Sequence, residues 1–346
     1  MMEKRIIIDD QLTLPNAVGV LDDGQIVVAD GGNDRVCLFD SDGSFVKSTD
    51  GKGYGKYRLK EPVALSVSPE NEIFVADWHN HRIVVYTGDL SYVTEFGYYG
   101  VGDYNNNAGK LKNILKFYKK LSTDGTYTRY FFSNKSKNNK EETSISVRTH
   151  IFVQAFHYWT FIRNTSPMSS IYKINNGGCG VLKPNGVTFA SDNIYITQKN
   201  AKRISIYKRK ENKIDFQRKD DIKKPKECVS FGRLGNIHAS KFHDWIYVCD
   251  EREGLIWILD YDGGYLDDIE WTELCIESFL PFSCVEFEKD KIAVCSATEL
   301  LIIDIFEKKI ISRITTGELH GIITDQSNDY LYVVERSTDR ILKYLI

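Results

Sequence analysis

Six times along this chain an apolar run closes, five residues pass, and another apolar run opens. The closing residues are Asp30, Asp77, Gln198, Asp250, Ser296 and Glu335, and the following runs open at Arg35, Arg82, Arg203, Leu255, Leu301 and Arg340. A spacing held through six copies restricts the chain to a repeat architecture, because a unit too small to bury its own faces must stack on copies of itself. In the first copy the runs are 17–21, 25–29, 36–39 and 45–48, each alternating apolar and polar residues. Period-two alternation marks half-buried antiparallel strands. Asp23-Gly24 and Asp42-Gly43 stand before the second and fourth runs, and Asp-Gly supplies the positive φ of a tight hairpin turn.

The second copy repeats the pattern at 64–68, 73–76, 83–86 and 92–96, whereas the last has only three runs before the chain stops at Ile346. A strand at 4–10 has no copy of its own. Paired beside 341–345, it completes the sixth sheet and removes the open edge of a linear array. The expectation is an all-β closed ring of six four-stranded blades.

These residues resemble the NHL-repeat β-propellers. The resemblance rests on Leu14-Pro-Asn, Ile26-Val-Val-Ala-Asp30 and Asn33-Asp-Arg-Val36, and on Glu61-Pro, Ile73-Phe-Val-Ala-Asp77 and Asn80-His-Arg-Ile83. Lys183-Pro-Asn-Gly-Val187 and Arg203-Ile204 continue it, over roughly residues 1–100 and 181–346. The Asp closing the second strand and the Arg opening the third read as cross-strand pairs, Asp30 with Arg35, Asp77 with Arg82 and Glu335 with Arg340. Such pairs contribute about 0.2–1 kcal/mol each and are structural.

Closing residues of adjacent copies lie 39 to 52 positions apart, but Asp77 and Gln198 are 121 apart. An insert is therefore expected at 102–180, between blades two and three, dividing the chain into 1–101, 102–180 and 181–346. It holds 12 Lys and Arg against 4 Asp and Glu, a charge of +8, and leaves −11 on the rest. Apolar residues at three- and four-residue spacing predict a basic helix over 108–122. Strands are expected at 126–132, 144–149 and 152–162, which makes the insert a small α+β subdomain. The basic face of the helix suits an anionic surface, or its apolar face packs on the ring.

Seven cysteines, with no Cys-x-x-Cys and an odd total, predict buried thiols in a reducing compartment. No run of about 20 apolar residues offers a membrane span. The N-terminal residues run straight into the closing strand, leaving no room for a signal peptide, so a cytoplasmic protein is expected.

In an up-and-down blade the turn from second to third strand and the connection to the next blade share one face. That face carries Trp78, His79, Lys199 and Arg252, bears the insert, and is the expected binding surface. Counting back from the second-strand ends brings Asn16, Val63, Asn185, Asn236, Phe282 and His320 to the channel mouth. Amide oxygens are hard ligands and imidazole a borderline one, so Asn16, Asn185, Asn236 and His320 are the candidate set for one divalent cation or a polar ligand. His320 and His238 are the candidate general bases. Related propellers that the chain resembles include metal-dependent lactonases and a peptide-amidating lyase, but no Asp or Glu occupies the six mouth positions, and only His320 stands at the lyase histidine position, after Leu319 where that pattern has Pro.

Two functions follow. One is a binding module that takes a protein, carbohydrate or small-molecule ligand on the insert-bearing face. The other is a metal-dependent lyase or hydrolase at the channel mouth, with the insert as lid. Resemblance to NHL propellers of RNA regulators implies a third, nucleic-acid binding. The ring's charge of −11 speaks against it, since phosphate recognition needs a positive surface.

Overall fold

A computed structural model describes residues 3–49, 58–97, 180–199, 201–211, 215–223, 231–270, 273–274 and 280–346. Blade one comprises β2 (Pro15–Val20), β3 (Ile26–Asp30), β4 (Arg35–Phe39) and β5 (Phe45–Ser48). Blade two comprises β6 (Pro62–Val67), β7 (Glu72–Asp77), β8 (Arg82–Thr87) and β9 (Tyr92–Phe96). Blade three holds β10 (Pro184–Ala190), β11 (Asn193–Gln198), β12 (Arg203–Arg209) and β13 (Phe216–Ile222). Blade four holds β14 (Leu234–Ala239), β15 (Trp245–Asp250), β16 (Leu255–Asp260) and β17 (Tyr265–Glu270). Blade five is β18 (Pro281–Glu288), β19 (Lys291–Ser296), β20 (Glu299–Asp304) and β21 (Lys309–Thr315). Blade six is β22 (Leu319–Thr324), β23 (Tyr330–Glu335) and β24 (Arg340–Leu345), with β1 (Lys4–Ile8) as its fourth strand.

The innermost strands pack in sequence, β2 on β6, β6 on β10, β10 on β14, β14 on β18, β18 on β22 and β22 back on β2, so the ring is closed. Alternation along each strand explains the packing. Val27 and Ala29 face Leu65 and Val75 of blade two, while Ile26 and Val28 face Val334 and Ile341 of blade six. An apolar layer of this kind fills each of the six junctions between neighbouring blades.

Closure follows the expected route. Antiparallel pairing of β1 with β24 sets Lys4 opposite Tyr344 and Ile8 opposite Ile341, and Ile8 is buried. Gly43, at φ +89°, lies in the hairpin of blade one, where an added Cβ would stand 1.8 Å from the carbonyl oxygen of Ile7. Glycine is required there both by the left-handed turn and by the approach of β1.

Three local expectations are corrected. Ser296 pairs with Glu299, across a turn in which Ala297 takes φ 50°, so the offset in blade five is three residues and not five. Arg340 lies opposite Glu335 in register but bonds Asp9 at 2.7 Å, while Glu335 binds Gly317 and the hydroxyls of Thr316 and Thr338. Asp30 and Asp77 pair with Arg35 and Arg82 at 2.7 Å but are fully buried hubs. Asp77 also accepts the Lys60 backbone N–H and the Asn80 amide, tying the incoming loop to the hairpin. Burial raises its pKa against the opposing charge of Arg82. Removing one partner of such a pair leaves a buried group uncompensated and costs more than the surface range given above.

The ring is one unit built from the chain on both sides of residues 100–179. Gly97 and Val181 meet through a 2.5 Å backbone hydrogen bond, and Lys183 N–H donates to His81 Nδ1 at 3.1 Å. Blades two and three are therefore joined directly. The helix expected at 108–122 and the strands at 126–132, 144–149 and 152–162 lie outside the described residues. Among the described residues no helix is long and apolar enough to cross a membrane, and Cys37, Cys249, Cys284 and Cys295 are buried free thiols.

Candidate functional site at the channel mouth

Each second strand ends on the same face of the ring as the loop that leads into the first strand. The residue after the second strand bonds the one before the first: Trp78 N–H to Glu61 O at 3.4 Å, Glu251 N–H to Arg233 O at 2.9 Å, and Arg336 N–H to Glu318 O at 2.7 Å. Register thus defines two concentric sets around the mouth. One contains Trp78, Lys199, Glu251 and Arg336, and the other contains Glu61, Lys183, Arg233 and Glu318.

The carboxylates of these sets are all engaged. Glu61 Oε2 meets His79 Nε2 at 2.8 Å, and Glu251 meets Lys199 Nζ at 3.2 Å and Arg233 Nε at 2.6 Å. Glu318 lies 3.4 Å from His320 and 3.6 Å from Arg336. Glu61 is held below the usual carboxylate range by its hydrogen bond to His79, with Arg336 and Lys183 adding to the effect. Lys183 of blade three and Arg336 of blade six thus both act on one carboxylate of blade two.

Several donors on this face have no acceptor. Trp78 Nε1 and Arg336 Nε are buried without a hydrogen-bond partner among the described residues. Lys183 Nζ lies 4.1 Å above the Trp78 ring, with no carboxylate in ion-pair reach among the described residues. His320 stacks on Phe282 with ring centres 5.2 Å apart, and its Nε2 lies 3.4 Å from Arg336. Burial, then the charges of Arg336 and Lys199, push its pKa down to about 4 despite Glu318. His81 is likewise lowered to about 4, by burial and by Lys183 and His79. Both imidazoles are neutral at neutral pH.

The predicted residues divide. By register the mouth positions are Asn16, Val63, Asn185, Gly235, Phe282 and His320. Asn236 stands one residue further along, because the loop from Ser240 to Trp245 is one residue longer than its counterpart at 21–25. Its amide donates to Ser283 Oγ at 2.8 Å. Asn16 and Asn185 hold equivalent bonds to the next blade, to Pro62 O at 2.9 Å and Leu234 O at 3.0 Å. These amides stitch blades together, and the Asn236 oxygen also accepts the Ile237 N–H at 2.8 Å. Arg252 is exposed and contributes a backbone N–H to Asp250.

His238 is not at the mouth. It lies three residues beyond Gly235 on β14, roughly 10 Å deeper at the rise of a strand, against Tyr247. Its Nε2 is buried and has no hydrogen-bond partner among the described residues, and burial lowers its pKa to about 3. The structure does not bring His238 and His320 together.

Two amide oxygens and one imidazole form a neutral donor set, with Lys199 and Arg336 beside it. Divalent hard cations favour carboxylates, so these residues do not fit one. No group of three or more His, Cys, Asp or Glu suited to a metal occurs among the described residues. Sequence reasoning missed Glu61, Lys183, Glu251, Glu318 and Arg336. Their shared signal was position, one residue before each first strand or one after each second strand.

The family described as NHL repeat matches residues 59–86. No curated protein matches the sequence significantly. Among solved structures, a protein of unknown function from Bacteroides thetaiotaomicron is 12% identical with a TM-score of 0.60, covering 100% of this chain and 76% of its own. A gluconolactonase from Xanthomonas campestris is 13% identical with a TM-score of 0.57, over 99% of this chain and 89% of its own. Virginiamycin B lyase from Staphylococcus aureus is 12% identical with a TM-score of 0.52, over 100% and 99%. At these identities the likeness is one of fold.

Proposed function

From the premise that this chain is an NHL-repeat six-bladed β-propeller, we propose that it is a binding module whose mouth-bearing face takes a protein or polymer ligand. The observation that carries this reading is the surplus of donors at the mouth. Trp78 Nε1 and Arg336 Nε have no hydrogen-bond partner among the described residues, and Lys183 Nζ meets a ring face and no carboxylate there, whereas the mouth amides are spent on blade-to-blade bonds. A partner that brings acceptors to this face would complete the bonding around them. Trp78, His79, Lys199 and Arg252 extend the surface around that centre.

An array of peptides and glycans, read with the full chain and with Trp78→Ala, tests the proposal. Ligands that lose at least tenfold in affinity in the variant, with folding intact, support it. A second reading, lyase or hydrolase chemistry, is favoured by the neutral His320 at the mouth and by the lactonase and lyase folds. Turnover of lactone substrates abolished by His320→Gln, together with array binding indifferent to Trp78→Ala, would replace the binding proposal with this one. Deleting 104–178 between the bonded Gly97 and Val181 tests whether the insert takes part.

A further inference from the structure

We propose that a second docking surface lies at the end of the ring opposite the mouth, in the groove between blades one and two, and that it takes a basic peptide segment of a partner protein. This surface is separate from the mouth and does not depend on the binding role proposed there.

Hairpin turns build the groove. The turns from first to second strand, at 21–25 and 68–72, and from third to fourth strand, at 87–91, stand at the strand ends away from the mouth. With β5 they border a groove of about 560 Å3, within the size of a ligand cleft. Its floor is apolar: Leu21 and Leu38 are buried beneath it, and Val46, on the outer strand β5, is 44% exposed.

The rim of the groove is acidic. Asp23 of blade one and Glu70, Glu72 and Asp89 of blade two line it, with Lys47 as its one cation. Arg209 of blade three compensates Glu72, and Lys47 lies 3.6 Å from Asp89. Hydrogen bonds from Thr87 and Ser91 lower the pKa of Asp89 to about 2, so it is ionised. Asp23 and Glu70 are exposed, and no Lys or Arg lies within ion-pair reach of either among the described residues. Asp23 Oδ1 accepts only the Gln25 N–H, at 3.0 Å. Two negative charges on the lining of one groove are therefore left without a cation.

An apolar floor under uncompensated carboxylates suits a side chain with an apolar stem and a cationic head. Arg and Lys lay their methylenes on apolar surface and keep the charge at its polar edge, and a guanidinium donates to carboxylates with two parallel N–H groups. A peptide also brings an apolar neighbour to cover Val46, which a free polyamine lacks. A metal ion is a poor fit, since no three groups suited to one come together among the described residues. The charge of −11 outside 102–180 adds a long-range attraction for a basic partner.

Titration calorimetry of the full chain at low salt tests this with three probes. These are an amide-capped peptide of alternating Leu and Arg, the same peptide with Gln in place of Arg, and spermidine. The expected result is 1:1 binding of the Arg peptide, weakened roughly tenfold or more by Asp23→Asn combined with Glu70→Gln. Val46→Ser should also weaken it, whereas Lys47→Met, which frees Asp89, should tighten it. Asp192→Asn, at an exposed carboxylate of blade three, should leave it unchanged, and salt should loosen it. Spermidine binding as tightly as the Arg peptide would overturn the peptide in favour of a small polycation. Equal binding of the Gln peptide would overturn the charge argument. Loss of binding in Trp78→Ala would put the peptide at the mouth and overturn the groove while leaving the mouth reading standing. Absence of binding, indifference to the Asp23→Asn and Glu70→Gln pair, or loosening by Lys47→Met would overturn the inference outright.

Discussion

Asp77 shows how one side chain carries several structural tasks. With its carboxylate fully buried, it holds Arg82, the Lys60 N–H and the Asn80 amide at once. Arg82 is itself buried and also pairs with Glu95. Removing the acid leaves a cation and two donors in an apolar wall, and breaking a buried pair costs about 3–5 kcal/mol. Asp77→Ala is expected to lose that much in urea unfolding, whereas Asp192→Ala, whose exposed carboxylate pairs with Lys208, should lose less than about 1 kcal/mol. Equal losses would show that Asp77 is an ordinary surface partner. The Asp-Arg pairing was legible from the five-residue spacing, but its weight was not, since burial depends on the preceding loop folding over it.

At the scale of elements, the N-terminal strand decides whether the ring is sealed. Ile8 is buried against blade one and blade six, and β1 covers the free edge of β24. Gly43→Ala places a methyl group against the Ile7 carbonyl in a left-handed turn, and we expect at least about 1–3 kcal/mol of destabilisation. Removing residues 1–8 should lower the melting temperature further and produce oligomers on size exclusion, because an unpaired strand edge is a template for association. A truncated chain that remains monomeric and equally stable would contradict this role for β1. All four strands of blades one and two, and two strands of each later blade, were readable from alternation. The outer strands β13, β17 and β21 were not, since their faces are largely solvated and carry weak apolar patterning.

For the whole molecule, three half-buried histidines set the response to acid. His81 and His320 have values near 4 and His238 near 3, all below the ordinary 6.5. Between about pH 6.5 and pH 4 the unfolded chain therefore binds protons that the folded chain does not, so stability rises with pH across that window and is lost as pH falls through it. His238 alone accounts for about 1–3 kcal/mol. The melting temperature should drop between pH 7.5 and pH 4.5, and His238→Phe should flatten the drop. A His238 resonance titrating near pH 6.5 in the folded protein would refute this. His81 has a further reason to stay neutral, since its Nδ1 accepts the Lys183 N–H that joins blades two and three.

The number of blades, their turns and the closing strand were determined by the sequence alone, because hairpin register and strand polarity are local and are written in successive residues. The mouth was decided only by the tertiary structure. Glu61, Trp78, Lys183, Lys199, Glu251, Glu318 and Arg336 are far apart along the chain and meet because six blades converge on one axis. A one-residue difference in a single hairpin was enough to remove Asn236 from that circle. Which charges cancel and which remain is likewise fixed by neighbours in other blades, since electrostatic pairing depends on distance in space.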